Sequence, residues 1–263
     1  MFYSKNPVFS EKSIIKAEVL QENVLYPMRM FEHLYADYTD GIVTGVRLQA
    51  KDTDELLLSP GIIKYQGRLY HMEESACVEF EHNNRMNYLK IRFDNGERTS
   101  DGELFHTQVL LTSEETCFPY EMELGRFFTE AGARLIDHAQ HFEDFFIEHN
   151  HIDVRYVPYS ARTEATISPE ITVAFARDML QKQEKGEADI CFCMQCLRKE
   201  PVDREIICAY ISAKTGRPVA KMNNAQMCEA LLSILKKGRT MVAERQTFRE
   251  RQTFRERRSI IVD

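Results

Sequence analysis

Between residues 42 and 111 the apolar residues occur in short runs that are separated by turn-forming residues. Within several runs they alternate with polar residues, as in Tyr88 to Phe93, where every second residue faces one side of a strand. Short alternating runs at this spacing predict at least five antiparallel strands in a small barrel or sandwich. The dipeptide Asn95-Gly96 also predicts a tight hairpin after this run.

The apolar period changes after residue 120. Apolar residues then recur every three or four positions, which predicts one long amphipathic helix from Tyr120 to about Glu148. Ser168-Pro169-Glu170 is a strong helix start, because it combines a hydroxyl N-cap, a proline at the first helical position and an acid in the first turn. Three further helices are predicted, at Asn23 to Tyr38, at Asp203 to Ser212 and after Asn223-Asn224.

These patterns predict an α+β protein in which an N-terminal antiparallel β-rich barrel or sandwich domain is followed by an α-helical domain. We place the β-rich docking domain, with its one short N-terminal helix, at residues 1–118 and the α-helical domain at residues 119–240. Residues 241–263 form a basic tail in which Arg245 to Glu250 is repeated at once as Arg251 to Glu256. A six-residue repeat does not continue one helical seam, so a tandem duplication explains it.

The overall charge argues against nucleic acid as the main partner. Lys and Arg total 34 against 41 Asp and Glu, a formal net charge of -7, whereas nucleic-acid-binding proteins are usually basic. The charge is uneven, because Asp101 to Asp153 is strongly acidic and Arg245 to Arg258 is basic. This asymmetry indicates contact between the two ends or between neighbouring copies, or else two solvated faces of opposite sign. No apolar run approaches the length that crosses a bilayer, so no membrane span is expected.

Two residue clusters are candidates for metal binding. Cys191, Cys193, Cys196 and Cys208 offer four sulfurs to a tetrahedral zinc ion, although zinc sites usually pair two separated short knuckles. Cysteine is also one of the most commonly buried residues, so core packing is the alternative interpretation. The second cluster consists of four histidines, namely His138, His141, His149 and His151. Apart from zinc at the cysteines, no cofactor is expected.

Motifs that carry catalysis are missing from the sequence. It contains no phosphate-binding G-x-x-x-x-G-K-[ST] loop, no G-x-G-x-x-G after a predicted strand and no G-x-S-x-G. The sequence therefore identifies no catalytic residue, and we predict that the protein is not an enzyme.

The duplicated tail provides an alternative function. Its arginines and phenylalanines could bind nucleic acid or an acidic partner, which would make the protein an assembly or regulatory factor. The candidate residues are Arg245, Phe248, Arg249, Arg251, Phe254, Arg255, Arg257 and Arg258.

Three stretches of the chain have a recognisable pattern. The first runs from Asp40 to Leu48 and continues from Leu58 to Tyr70, giving GIVTG…SPGIIKYQGRLY. The second is Val157-Pro158-Tyr159 with Ile167 to Ile171. The third comprises Ile211 to Pro218, Met222 to Met227 and Ala230 to Leu235. These stretches resemble tail-module proteins of phages and prophages in low-GC Gram-positive bacteria, including the related contractile particles. Because they lie in both halves, they favour similarity over the whole chain.

The resemblance implies a non-enzymatic structural component of a tail or baseplate that contacts other tail subunits and takes part in fibre attachment. It implies a homo-oligomer made in the bacterial cytoplasm and assembled into a phage or phage-like particle. From the net charge, nucleic acid is not expected as a partner. Symmetric particles use one sequence in several equivalent places, which favours self-complementary surfaces.

Overall fold

A computed structural model describes residues 16–99, 102–116, 119–219 and 221–237. Within these ranges the chain is α+β, with antiparallel strands in the N-terminal part and helices after them, as the sequence predicts. The strands are β1 (Gly41–Gly45), β2 (Leu48–Ala50), β3 (Glu55–Leu58), β4 (Gly61–Tyr65), β5 (Arg68–Met72), β6 (Ala76–Glu79), β7 (Met86–Phe93), β8 (Glu97–Thr99), β9 (Gly102–Leu104), β10 (Thr107–Thr112) and β11 (Glu121–Phe128). The helices are α1 (Ala17–Leu34), α2 (Pro169–Leu180), α3 (Glu187–Cys196), α4 (Arg204–Thr215) and a helical segment at 224–237, labelled α5.

The described strands form three antiparallel sheets of three strands and one small hairpin. The sheet orders are β1-β4-β5, β10-β7-β11 and β2-β3-β6, and β8 pairs with β9. The described part of the chain therefore holds sheets packed on one another rather than a closed barrel. Leu89, Ile91 and Phe93 of β7 point into their shared core, as the alternation predicts.

The prediction of one long helix from Tyr120 to Glu148 was wrong. Strand β11 occupies the start of this segment and pairs with β7, so the β-rich part of the chain runs on past residue 118. Only Phe142–Phe146 is helical, as one short 3-10 helix. Met122 and Leu124 alternate with Glu121 and Glu123, and both apolar side chains enter the core.

The acidic residues of β11 are tolerated because basic side chains meet them. The carboxylate of Glu121 lies 2.8 Å from the ammonium of Lys90 and 2.6 Å from the guanidinium of Arg92. Glu123 forms a second pair with Arg126. Lys90 and Glu121 are both almost fully buried, so this pairing offsets much of their desolvation.

The predicted Asn95-Gly96 turn has a different role from the one expected. Asn95-Gly96 does not close a hairpin, because β7 pairs with β10 and β11 while the next hairpin joins β8 to β9. A Cβ at Gly96 would lie 2.2 Å from the ring of Phe105, so this glycine allows close packing. The Ser59-Pro60 turn connects strands of two different sheets, β3 and β4, rather than two strands of one sheet.

The GIVTG and SPG segments form one structural unit. Gly45 of β1 pairs with Gly61 of β4, and a Cβ at Gly45 would lie 2.1 Å from the carbonyl oxygen of Pro60. Gly45 also has a φ of +67°, which a glycine adopts at little cost.

The helical half has a separate core. Residues of α2, α3, α4 and α5 pack around Phe142 and Phe145 of the 3-10 helix. The start of α2 is as predicted: Ser168 is the N-cap, its hydroxyl accepts from the backbone N–H of Glu170, and Pro169 is the first helical residue.

The two halves are joined by backbone hydrogen bonds. The N–H of Ile42 in β1 donates to the carbonyl of Pro158, and the N–H of Ser160 donates back to the carbonyl of Ile42, each at 2.9 Å. A Cβ at Gly41 would lie 2.7 Å from the backbone nitrogen of Ser160, so glycine permits this close approach. On the other side, the amide of Asn224 donates to the carbonyls of Val157 and Thr166. Segment 157–166 is thus bonded to both halves.

Candidate functional site

Helix α1 carries more exposed large apolar side chains than any other element in the described part of the chain. None of its 18 residues is buried. Six large apolar side chains are each between 51 and 64 % exposed, namely Leu20, Val24, Met28, Met30, Phe31 and Leu34. An apolar patch of this kind on a folded protein marks an interaction surface.

The C-terminal end of α1 is fixed to the β-rich half by a buried lysine. The ammonium of Lys64, on β4, donates hydrogen bonds to the carbonyls of Tyr35, Ala36 and Tyr38 at 2.5 to 3.1 Å. Tyr35 is the C-cap residue of α1, where a cation is favourable, whereas Ala36 and Tyr38 lie beyond the helix, so the ammonium holds the turn that follows α1. The N–H of Thr39 also donates to the carbonyl of Ala161. The base of α1 is therefore held in place while its apolar face stays open.

Helix α3 has a second exposed apolar face. Ile190, Met194 and Leu197 follow each other at intervals of four and three residues and are 44, 60 and 36 % exposed. Ile206 of α4, also 36 % exposed, is a further exposed apolar side chain in this half. The base of α1 and the C-terminal end of α3 both line one groove of about 360 Å³.

The opposite face of α3 fixes the helix to α4. The buried carboxylate of Asp189 accepts hydrogen bonds from the hydroxyl of Tyr210 at 2.7 Å and from the ammonium of Lys214 at 2.8 Å. Burial raises the pKa of Asp189, but these hydrogen bonds outweigh burial and hold that pKa below its ordinary value. The ring of Phe192 stacks on Tyr210 with centroids 4.2 Å apart. The exposed face of α3 is therefore presented by a fixed helix.

The predicted cysteine cluster is divided between the two faces of α3. Cys193 and Cys196 are buried, Cys191 is exposed, and Cys208 on α4 is half-buried. Burial raises the pKa of the Cys193 thiol to about 11 and that of Cys196 to about 12, which keeps both protonated. Among the described residues, no three His, Cys, Asp or Glu side chains form a group that could hold a metal ion.

The four histidines do not come together either. His138, His141 and His149 lie near Asp137, Asp178 and Glu130 respectively, as separate pairs. His151 is buried, and neither of its ring nitrogens makes a hydrogen bond of ordinary geometry in the described part of the chain. Burial lowers the pKa of His151, against smaller opposing effects of the backbone at His138 and Ile152.

His151 lines a cavity between the two halves. The cavity has a volume of about 340 Å³, and its walls include Leu48 and Leu124 from the sheets and Ala174 from α2. Tyr159 also lines it, and burial raises the pKa of this phenol to about 12.

The candidate tail residues, from Arg245 to Arg258, lie outside the described residues, so binding of nucleic acid or an acidic partner by the tail stays a prediction. The acidic segment Asp101 to Asp153 is partly neutralised inside the protein, through the pairs of Glu121, Glu123 and Asp153 with basic neighbours. In the described part of the chain, no helix has the length and apolar character needed to cross a membrane.

Sequence signals could have found the two helix faces only in part. The apolar spacing within Asn23 to Tyr38 predicts the C-terminal two thirds of α1, which begins at Ala17 and ends at Leu34, and shows that it is amphipathic. Lys64 gives no such signal, because a lysine within a short strand is normally solvated. The face formed by Ile190, Met194 and Leu197 was missed, because α3 is apolar on both sides and has no polar stripe to orient it.

A comparison with solved structures finds similarity to TssK proteins. The match to "Structure of TssK from T6SS EAEC in complex with nanobody nb18" covers 83 % of this chain and 96 % of the chain in that structure. Its TM-score is 0.46 and the sequence identity is 9 %. The match to the cryo-electron microscopy structure of the type VI secretion system TssK-TssF-TssG baseplate subcomplex covers 89 % of this chain and 98 % of the chain in that structure. Its TM-score is 0.40 and the sequence identity is 8 %. The match to a crystal structure of TssK covers 89 % of this chain and 69 % of the chain in that structure, with a TM-score of 0.38 and 10 % sequence identity.

No protein-family model matches the chain, and no curated protein sequence matches it. The structures named above belong to type VI secretion, whereas the sequence resemblance is to tail modules of phages and prophages.

Proposed function

We propose that the protein is a non-enzymatic structural subunit of the baseplate in a phage-tail-like contractile machine. Its role there is to hold neighbouring subunits in fixed positions. In its finer form, the proposal places it in a phage or prophage particle, made in the bacterial cytoplasm, with a part in fibre attachment.

The observation that carries this proposal is the pair of exposed apolar helix faces on two halves that segment 157–166 joins by hydrogen bonds. Helix α1 is fixed to the β-rich half through Lys64, and α3 is fixed to α4 through Asp189. Segment 157–166 bonds the halves to each other, so the two faces keep a set relation. A protein with two such faces can contact two neighbours at once, which is what a connecting subunit requires. The resemblance of three sequence stretches to tail modules supports the same class of assembly.

Purified particles test this proposal directly. Tail-like particles are isolated from cells that make the protein with an affinity tag, and their subunits are identified by mass spectrometry and located by electron microscopy. We expect the tagged chain at a fixed ratio to the other subunits. Its consistent absence from intact particles would mean that the protein is not a baseplate subunit.

Variants of the α3 face show whether that face makes a contact in the particle. Met194→Glu places a charge in its centre, and we expect this variant to be lost from particles while it still folds. Glu187→Gln, a change near the start of the same helix, is the matched control and is expected to be incorporated normally. Equal incorporation of both variants would remove the α3 face from the proposal.

The tail alternative is tested by removing residues 241–263. An assembly factor that acts through these arginines would lose salt-sensitive binding to nucleic acid or to an acidic protein on this deletion. A baseplate subunit that acts through α1 and α3 would keep its place in the particle.

A further inference from the structure

Helix α1 needs a covering partner in order to be stable. Most of a helix's stability in a protein comes from packing its apolar face, yet none of the residues of α1 is buried. Pro27 lies inside the helix, where it removes one backbone hydrogen bond and costs about 3 kcal/mol relative to alanine. Lys64 holds only the C-cap residue Tyr35 and the turn after it. A partner on the apolar face is therefore required to stabilise the rest of the helix.

The apolar residues of α1 have the spacing of a helix that pairs with other helices. Counted from Ala17, intervals of three and four residues alternate along the whole helix. The positions are Ala17, Leu20, Val24, Pro27, Phe31 and Leu34. This is the a and d pattern of a coiled-coil seam, in which each side chain inserts between side chains of the facing helix. We call these six residues the α1 seam.

The residues beside the α1 seam are uncharged. Gln21 and Met28 occupy one flank and Asn23 and Met30 the other, which are the e and g positions of this pattern. The charged residues of the helix lie on its far side, namely Glu18, Glu22, Arg29 and Glu32. An identical helix facing the seam would thus meet no like charge, and its own apolar flanks would cover Met28 and Met30.

The exposed area is sufficient for a specific contact between two copies. The six exposed apolar side chains leave on the order of 500 Å² uncovered on each helix, so two helices bury on the order of 1,000 Å². This reaches the lower limit for a specific protein–protein interface. Val24 at an a position, with Leu20 and Leu34 at d positions, matches the combination that favours two paired helices, whereas Ala17 and Phe31 at a positions and Pro27 at a d position do not contribute to it.

We propose that the α1 seam pairs with the α1 seam of a second copy of this chain. This inference rests on the proposed function and names the partner of one of its two faces, which leaves the α3 face for a different subunit. Because the seam faces its own copy, the contact is self-complementary and closes without forming a filament.

Sedimentation velocity and light scattering on the purified full chain test the pairing. We expect a concentration-dependent dimer or larger closed oligomer at micromolar concentration. Val24→Glu and Phe31→Glu each place an unpaired charge in the seam, and we expect each to weaken self-association by at least about a hundredfold. Arg29→Glu introduces the same residue on the far side of the helix and is expected to leave self-association unchanged.

Disulfide trapping provides a second measurement that does not disturb the seam with a charge. In a background with Cys77 and Cys191 changed to Ser, Val24→Cys is expected to cross-link two chains on oxidation, whereas Arg29→Cys is not. Circular dichroism checks that each variant keeps its helical content. Equal cross-linking of the two variants would overturn the pairing.

The outcomes separate this inference from the proposed function. If the chain is a monomer but enters particles through the seam, self-pairing is wrong and the proposed function stands. If it pairs through the seam but is absent from particles, the proposed function fails and the pairing stands. If a monomeric full chain associates only after deletion of residues 1–15, that segment occupies the seam and self-pairing is wrong.

Discussion

Helices α1 and α2 differ in burial although their sequences have the same kind of pattern. Both are amphipathic and have an acidic residue in the first turn. Each also contains a proline, which lies inside α1 and at the first position of α2. Eight of the 12 residues of α2 are buried in the helical core, whereas none of the 18 residues of α1 is buried. Apolar periodicity thus identifies a helix that needs covering, but it does not identify what covers it. A neighbouring segment of the same chain covers α2, and we infer that another copy covers α1.

The largest difference between α1 and α2 is expected in how much stability is lost when an aromatic ring is removed. Phe175→Ala in α2 leaves a cavity against Phe142, Phe192 and Tyr210, and we expect it to lower the free energy of unfolding by about 3–5 kcal/mol. Phe31→Ala in α1 should change the unfolding of the monomer by less than about 0.5 kcal/mol and weaken self-association instead. Urea denaturation measured alongside sedimentation velocity gives both numbers. Similar losses of stability for the two variants would show that α1 is covered within its own chain.

Loss of the Lys64 ammonium should loosen α1 without affecting α2. Lys64→Met keeps the length of the side chain but leaves the carbonyls of Tyr35, Ala36 and Tyr38 without their donor. We expect a cost of roughly 1–3 kcal/mol and faster amide hydrogen exchange in α1. Exchange in α2 should be unchanged, and Lys51→Met, at an exposed lysine, is the matched control. Unaltered exchange in α1 would mean that Lys64 does not hold the helix.

Acid should weaken the region beneath α2 through His151. Because the pKa of this histidine is lowered in the folded protein, the unfolded chain binds its proton first as the pH falls below about 6.5, and unfolding is then favoured. We expect stability to decrease with pH from about 6.5 down to the folded-state pKa, and His151→Gln to remove this part of the pH dependence. His138→Gln, at an exposed histidine, should leave it intact. Thermal unfolding at a series of pH values measures the effect.

The smallest effect is expected at the exposed face of α3. Met194→Ser removes an apolar side chain that is 60 % exposed, and we expect the free energy of unfolding to change by no more than about 0.5 kcal/mol. Cys193→Ser, on the buried face of the same helix, should cost more, because it places a hydroxyl in the core. Equal effects of the two substitutions would show that the outer face of α3 is covered within the chain.

Short-range patterns predicted much of this fold. The alternation in β7 and the Ser168-Pro169-Glu170 helix start were both confirmed. Strand β11 was missed because Leu124 and Phe128 also fit a helical period, although the alternation of Glu121, Met122, Glu123 and Leu124 was visible in the sequence. Acidic residues at these positions suggest a solvated surface, and the buried lysine that neutralises Glu121 lies 31 residues earlier in the chain. Pairings of this range depend on tertiary contacts, which local spacing does not contain.

The candidate assembly surfaces were harder to predict from the sequence than the fold was. Spacing alone indicates that α1 is amphipathic, but exposure of the α1 seam follows only from where the chain places its other segments. The same holds for α3, in which Phe192, Cys193 and Cys196 pack inward while Ile190 and Met194 stay outside. A helix that is apolar all round is ambiguous until its neighbours are known.

The three carbonyls that share the Lys64 ammonium make the turn after α1 a single point of attachment to β4. Because the three hydrogen bonds converge on one nitrogen atom, moving this turn away from the strand breaks all of them together and leaves a buried ammonium without its acceptors. A buried charge without acceptors is costly, so the place at which α1 leaves the sheet is fixed by one side chain.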